Sequence, residues 1–153
     1  RTHFYIETGV CHGAAWFQAE KHFGEHMLGC EISENKVKAL NDKRVAHTDS
    51  VNFLRIVETN PKIPKLFFLD AHGGEDCPLI EELLIIKLRI MTPPGSIILF
   101  DDIHTVIYPH HTPCSTATLC NTLFATLRMH YPRATMRFEL SHSMDYNCFR
   151  VEV

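Results

Sequence analysis

Two apolar runs constrain this chain more than anything else in it: Leu66-Phe67-Phe68-Leu69 stops on Asp70-Ala71-His72, and Ile97-Ile98-Leu99-Phe100 stops on Asp101-Asp102. Unbroken apolar segments of this kind are what parallel strands look like when helices cover both faces of their sheet. Carboxylates that follow directly then emerge at the carboxyl edge of an α/β sheet, where such folds keep their sites.

The rest of the chain alternates in the same way. Short strands are expected at 4–6, 27–32, 45–48, 65–70 and 96–100, and helices at 14–23, from Ser33 to about Asn41, from Asp49 or Ser50 to about Glu58, and at 78–91. Ser33 is a good N-cap and Asp49 or Ser50 caps the third helix, while Asn60, Pro61 and Pro64 break the chain before the fourth strand. A helix at 116–130 and strands at 134–140 and 146–153 complete the pattern. Only about five residues join the last two strands, too few for a parallel crossover, so they should form an antiparallel hairpin. The prediction is a doubly wound, seven-stranded, mostly parallel Rossmann-like α/β sheet closed by that hairpin, with residues 1–153 as a single domain.

Composition removes several classes of function. With 153 residues, 45% hydrophobic and 22% charged, the chain fits one core of ordinary size. Net charge is −3 and the basic residues (Lys36, Lys38, Lys43, Arg44, Lys87, Arg89) form no stripe, so no nucleic-acid partner is expected and these side chains read as solvated helix faces. The apolar stretches are too short or too interrupted to span a bilayer, so no membrane partner is expected. The six cysteines (Cys11, Cys30, Cys77, Cys114, Cys120, Cys148) include no CxxC pair, and Cys30 and Cys120 read as free thiols in a strand and a helix. A reducing, cytoplasmic setting is the expectation.

Between the first strand and the first helix lies Glu7-Thr8-Gly9-Val10-Cys11-His12-Gly13. Glycine lets a backbone turn sharply and approach a ligand closely, although a glycine-containing turn also serves simple packing. The loop lacks the three glycines of a dinucleotide fingerprint, and no Gly-Lys-Ser/Thr follows as in a P-loop. Glu31, ending the second strand, can accept two hydrogen bonds from a ribose diol or cap the next helix. Asp49 and Ser50 can meet an adenine ring or cap the third helix.

Taken in order, these motifs resemble a class I S-adenosylmethionine-dependent methyltransferase, and within that superfamily the metal-dependent O-methyltransferases of the macrocin type. The resemblance implies that Glu7, Gly9, Val10, Gly13, Glu31, Ile32, Asp49, Ser50 and Asp70 contact S-adenosylmethionine. It also implies that Asp70, Asp101 and Asp102 hold a divalent cation, and that a small hydroxylated acceptor is methylated on oxygen, with a homodimer as a possible assembly. Two departures stand out: Cys11 takes the middle glycine's place of the broad pattern, and His72 replaces the carboxylate that serves as base two residues after the first metal ligand.

The residues themselves make this chemistry reasonable. Three carboxylates at adjacent strand ends repel one another unless a cation sits among them, and Mg²⁺ prefers oxygen ligands and an open face. Such an ion orients an acceptor hydroxyl and lowers its pKa, and His72, with Asp70 beside it, is the candidate catalytic base. His104 is the reserve base or ligand and would favour a softer ion. Equally, Asp70, Asp101 and Asp102 can cap loops or pair with cations, and His72 can be a polar loop imidazole. His12 reads as solvent-facing or a substrate-side contact, His110 and His111 as exposed, and Trp16 and Phe17 as core. The rival readings are a metal-dependent hydrolase or other nucleotide-binding α/β enzyme, and a non-catalytic S-adenosylmethionine-binding domain.

Overall fold

A computed structural model describes residues 3–71, 78–90, 92–101, 116–140 and 147–153. Its strands are β1 (Phe4–Thr8), β2 (Met27–Glu31), β3 (Val45–His47), β4 (Lys65–Leu69), β5 (Ile97–Phe100), β6 (Thr135–Leu140) and β7 (Asn147–Glu152). The helices are α1 (Ala14–Phe23), α2 (Glu34–Leu40), α3 (Ser50–Ile56), α4 (Leu79–Ile85) and α5 (Thr116–His130). One seven-stranded sheet takes the order β3-β2-β1-β4-β5-β7-β6. Strands β1 to β5 run parallel to one another, while β7 runs antiparallel to both β5 and β6. The expected closing hairpin is therefore present, with its second strand inserted beside β5.

Strand alternation sends side chains to both faces. Ile6, Phe67, Leu69, Ile98 and Phe100 pack with Leu79, Leu83 and Ile86 of the α4 segment and with Leu123 and Leu127 of α5. On the opposite face Tyr5, Met27 and Val45 pack with Trp16 and Ala19 of α1, flanked by Leu66 and Phe68. At the β5–β7 seam, Phe100 and Phe149 stand in register with ring centroids 5.9 Å apart, and Phe124 from α5 meets Phe149 edge-on at 5.4 Å.

Several expectations change in detail. The first strand runs two residues further, to Thr8, and Ile32 falls outside β2 and is exposed. The helix expected at 78–91 starts as α4 and continues as a π turn over Ile86–Ile90. Ile86 and Ile90 are buried in the π turn, and their spacing of four residues also suits an apolar α-helical face, so the apolar period does not separate the two. Ser33 takes the N-cap position of α2 but its side chain makes no capping bond, whereas Asp49 accepts from the Asn52 N–H at 2.8 Å. Trp16 is fully buried as expected; Phe17 is not core, being 46% exposed on the outer side of α1. Arg44 is no solvated side chain either: its guanidinium lies 5.5 Å from the Trp16 ring centroid, pairs with Asp42 at 2.6 Å and also meets Glu20. No helix among the described residues is long and apolar enough to cross a membrane.

Candidate functional site

The strand order changes direction between β1 and β4, and their carboxyl ends lie side by side with Thr8 opposite Leu69. In open α/β sheets this switch point leaves a crevice beyond the strand ends. Here a cavity of about 600 Å³ opens over it, lined among others by Gly9, Glu31, Ile32, Asp49, Ser50 and Asp70. That volume lies within the range of small-molecule and cofactor sites.

The loop after β1 is built to keep the crevice narrow. Gly9 has φ +78°, and a Cβ there would sit 2.2 Å from the Asp70 carbonyl oxygen, so glycine is required by conformation and by space. The Gly9 and Val10 amides both donate to the Cys30 carbonyl, at 3.0 and 3.1 Å, and the Asp70 amide donates to the Thr8 carbonyl at 3.0 Å. Gly13, φ +81°, starts α1 where a Cβ would strike the Phe17 ring and the Leu40 side chain. Val10 is buried, and neither it, Gly13 nor Glu7 is among the cavity-lining residues.

Glu31 joins two of these segments. Its carboxylate accepts from the Cys11 amide and the Ser33 amide, each at 2.8 Å, and the residue is 5% exposed. Ligand-holding and helix-capping are thus compatible, because each carboxylate oxygen keeps a second lone pair.

Behind the loop, the Tyr5 hydroxyl donates to Glu7 at 2.7 Å in a buried bond. Burial pushes the Glu7 carboxyl up to about 7, the Tyr5 bond pulls it down, and Asp101 raises it further. Burial, then Glu7, Asp70 and Asp101, push the Tyr5 hydroxyl above its ordinary range. Glu7, Asp70 and Asp101 therefore share one acidic corner. Asp70 and Asp101 follow neighbouring strands, and the Asp101 amide donates to the Leu69 carbonyl at 3.1 Å. Among the described residues no three His, Cys, Asp or Glu side chains gather as a metal-ligand set. Asp102, His72, His104, His110 and His111 lie outside the described residues; His12 is described and is exposed.

Sequence reasoning missed Cys11, Cys30, Lys36, Thr48, Val51, Ala71 and Pro78 on the cavity wall. Lys36, expected as a solvated lysine, reaches back across the crevice so that its ammonium lies 3.2 Å from the Cys11 sulfur. That contact, then the nearby Glu31 charge, hold its pKa above the ordinary lysine value. The signal was its place in the first turn of the helix after Glu31, at the same sheet edge. Cys11 itself takes φ +54°, the left-handed conformation of a glycine in a residue that is not one.

No family model and no curated protein matches the sequence. Solved structures do match in shape. Human methyltransferase-like protein 13, in complex with S-adenosylhomocysteine, superimposes with a TM-score of 0.66 at 14% identity, covering 100% of this chain and 72% of that one. A putative O-methyltransferase from Klebsiella pneumoniae gives 0.64 at 16% identity over 97% and 72%. Fibrillarin from Aeropyrum pernix, with natively bound S-adenosylmethionine, gives 0.61 at 12% identity over 99% of this chain, which spans 66% of that protein. The strand order, the antiparallel closing pair and these superpositions together give the chain the Rossmann-like methyltransferase fold.

Proposed function

We propose that the chain binds S-adenosylmethionine in the cavity at the switch point and transfers its methyl group to an oxygen of a small hydroxylated acceptor. The observation that carries this reading is the bond from the Cys11 amide to Glu31, which brings the tight glycine loop and the acid of β2 to one cavity wall. The cradle at Gly9, which a Cβ would fill, and the remaining Glu31 lone pairs fit an adenosine ribose better than the chemistry of a hydrolase.

S-adenosylmethionine supplies an electrophilic methyl group on a sulfonium. Glu31 would accept from its ribose hydroxyls, while Ile32, Asp49 and Ser50, which line the same cavity, would flank the base. The Gly13 amide donates to the Val10 carbonyl at 2.8 Å and ties the loop, and Glu7, bonded to Tyr5, lies in the strand before it. Asp70 and Asp101, joined by Asp102 in the resemblance, would supply oxygen donors to a hard divalent cation such as Mg²⁺, whose chemistry would be to lower the pKa of the acceptor hydroxyl. His72 takes the acceptor proton on its neutral imidazole. The reading extends to residues 1–153 as a single cytoplasmic methyltransferase domain of the macrocin type, acting on a small molecule rather than on nucleic acid or a membrane, and able to pair as a homodimer.

Calorimetric titration of S-adenosylmethionine, once with chelator and once with Mg²⁺, tests it. Micromolar binding in both supports the cofactor pocket, and Mg²⁺ binding that Asp101→Ala removes supports the cation. Folded protein that binds no S-adenosylmethionine in either condition defeats the proposal.

A further inference from the structure

Glu82 lies on the inner face of α4 between Leu79 and Ile86 and is 1% exposed. Among the described residues neither of its carboxyl oxygens closes a hydrogen bond, and the buried Thr8 hydroxyl is equally without one. The Ser50 and Thr8 hydroxyls face it. Ser50 lines the cavity and begins α3; Thr8 ends β1 immediately before Gly9. The acid therefore lies beneath the seam between the two segments that would clasp adenosine.

We infer that Glu82 is a positioning residue of this pocket: as a neutral acid it links the Thr8 and Ser50 hydroxyls, and on losing its proton it lets the seam loosen, so that ligand affinity falls. The inference rests on the cofactor reading of the cavity. A neutral carboxyl offers one donor and acceptor capacity, and each hydroxyl is both donor and acceptor, so the three groups can satisfy one another without charge. An ionised carboxylate offers acceptors only and is a buried charge with no cation beside it. Its relief is for the start of α3 to move and admit water.

The surroundings favour the neutral form. Burial pushes the carboxyl up to about 7, with the Ser50 and Thr8 hydroxyls drawing it down only in part, and among the described residues no charged group bears on it. From β2 the Cys30 thiol faces it, itself pushed up to about 12 by burial first and so uncharged. From α3, Asp49 is bonded to Asn52 and Arg55 is paired with Glu81 at 2.5 Å on the exposed side. From β1, Glu7 is bonded to Tyr5. The side chains that α5 packs into this core, Leu123 and Leu127, carry no charge.

Calorimetric titration of S-adenosylhomocysteine into wild type, Glu82→Gln and Glu82→Leu, from about pH 6 to about pH 8.5, tests the inference. Wild type should lose affinity about tenfold across that range, Glu82→Gln should keep the low-pH affinity throughout, and Glu82→Leu should bind weakly throughout. A pH slope shared by wild type and Glu82→Gln overturns it, and assigns the slope to another acid such as Glu7. Two measurements need no ligand. Amide exchange at residues 50–52, corrected for intrinsic base catalysis, should speed up with pH in wild type and not in Glu82→Gln; identical behaviour overturns the inference. If exchange follows Glu82 while folded wild type binds no nucleoside, the positioning role stands and the cofactor reading falls. Carbon NMR of the wild-type Glu82 carboxyl needs no variant, and a midpoint in the usual carboxylate range overturns the inference outright.

Discussion

A Cβ on Gly9 would lie 2.2 Å from the carbonyl oxygen of Asp70, so the ends of β1 and β4 meet backbone to backbone at the mouth of the cavity. Backbone cannot swing aside as a flexible side chain can, and the φ of +78° adds strain for any other residue. Gly9→Ala should cost about 2 to 4 kcal/mol of stability and weaken S-adenosylmethionine binding by more than about tenfold. Urea unfolding reads the first and calorimetry the second; an unchanged unfolding midpoint would mean the two strand ends can separate freely.

Glu31→Ala and Asp101→Ala should separate the two halves of the site. Removing Glu31 orphans the Cys11 and Ser33 amides, at a cost of about 1 to 3 kcal/mol, and takes away the ribose acceptor. Asp101→Ala should leave nucleoside affinity within about twofold and abolish Mg²⁺ binding, since its carboxylate belongs to the acidic corner at the ends of β4 and β5. Equal loss of both ligands in both variants would point to unfolding and defeat the assignment.

Asp42 should make the fold sensitive to acid. The Arg44 side-chain bonds first, then its backbone N–H and the Trp16 indole at 3.0 Å, hold the Asp42 carboxyl well below the usual range. A carboxyl depressed on folding stabilises the protein above its unfolded value, near 3.8, and that contribution fades as pH falls below it. Asp42→Asn should therefore destabilise by about 1 to 3 kcal/mol at neutral pH and by progressively less in acid. Thermal unfolding at several pH values checks it; a difference from wild type that does not shrink in acid would refute the linkage.

Glu82 carries the opposite sign. Its folded-state value, about 7, stands above the 4.5 of the free side chain, so the folded protein binds more protons between these limits and stability falls as pH rises through them. The gap corresponds to a loss on the order of 3 kcal/mol, complete above about pH 7. Glu7 is raised to about 7 as well and adds a decline of similar size, so Glu82→Gln should remove about half of the total slope. Chemical denaturation from about pH 5 to about pH 8 measures the slope in each protein; equal slopes would place the linked proton elsewhere.

Much of this molecule was legible in the order of its residues. Apolar runs ending on Asp70 and Asp101, glycines between β1 and α1, the acid closing β2 and the short connection before β7 are local properties. Periodicity, capping and the conformational freedom of glycine act over a few residues, so they declare strands, helices, their order and the sheet edge where acids gather. Folding decided the rest, because it turns on what comes from elsewhere in the chain. Lys36 and Arg44 read alike as charged surface, yet one crosses to the Cys11 sulfur and the other packs near Trp16 within a web of carboxylates. Phe17 and Trp16 are neighbours of similar hydrophobicity, and only the helix azimuth against β1 and β2 buries one and exposes the other. Glu82 sits at core spacing from Leu79 and Ile86, but only the approach of Thr8 and Ser50 from two other elements makes it part of a pocket. A side chain's charge and shape are written in the sequence; the dielectric and the partners it meets are set by non-local packing.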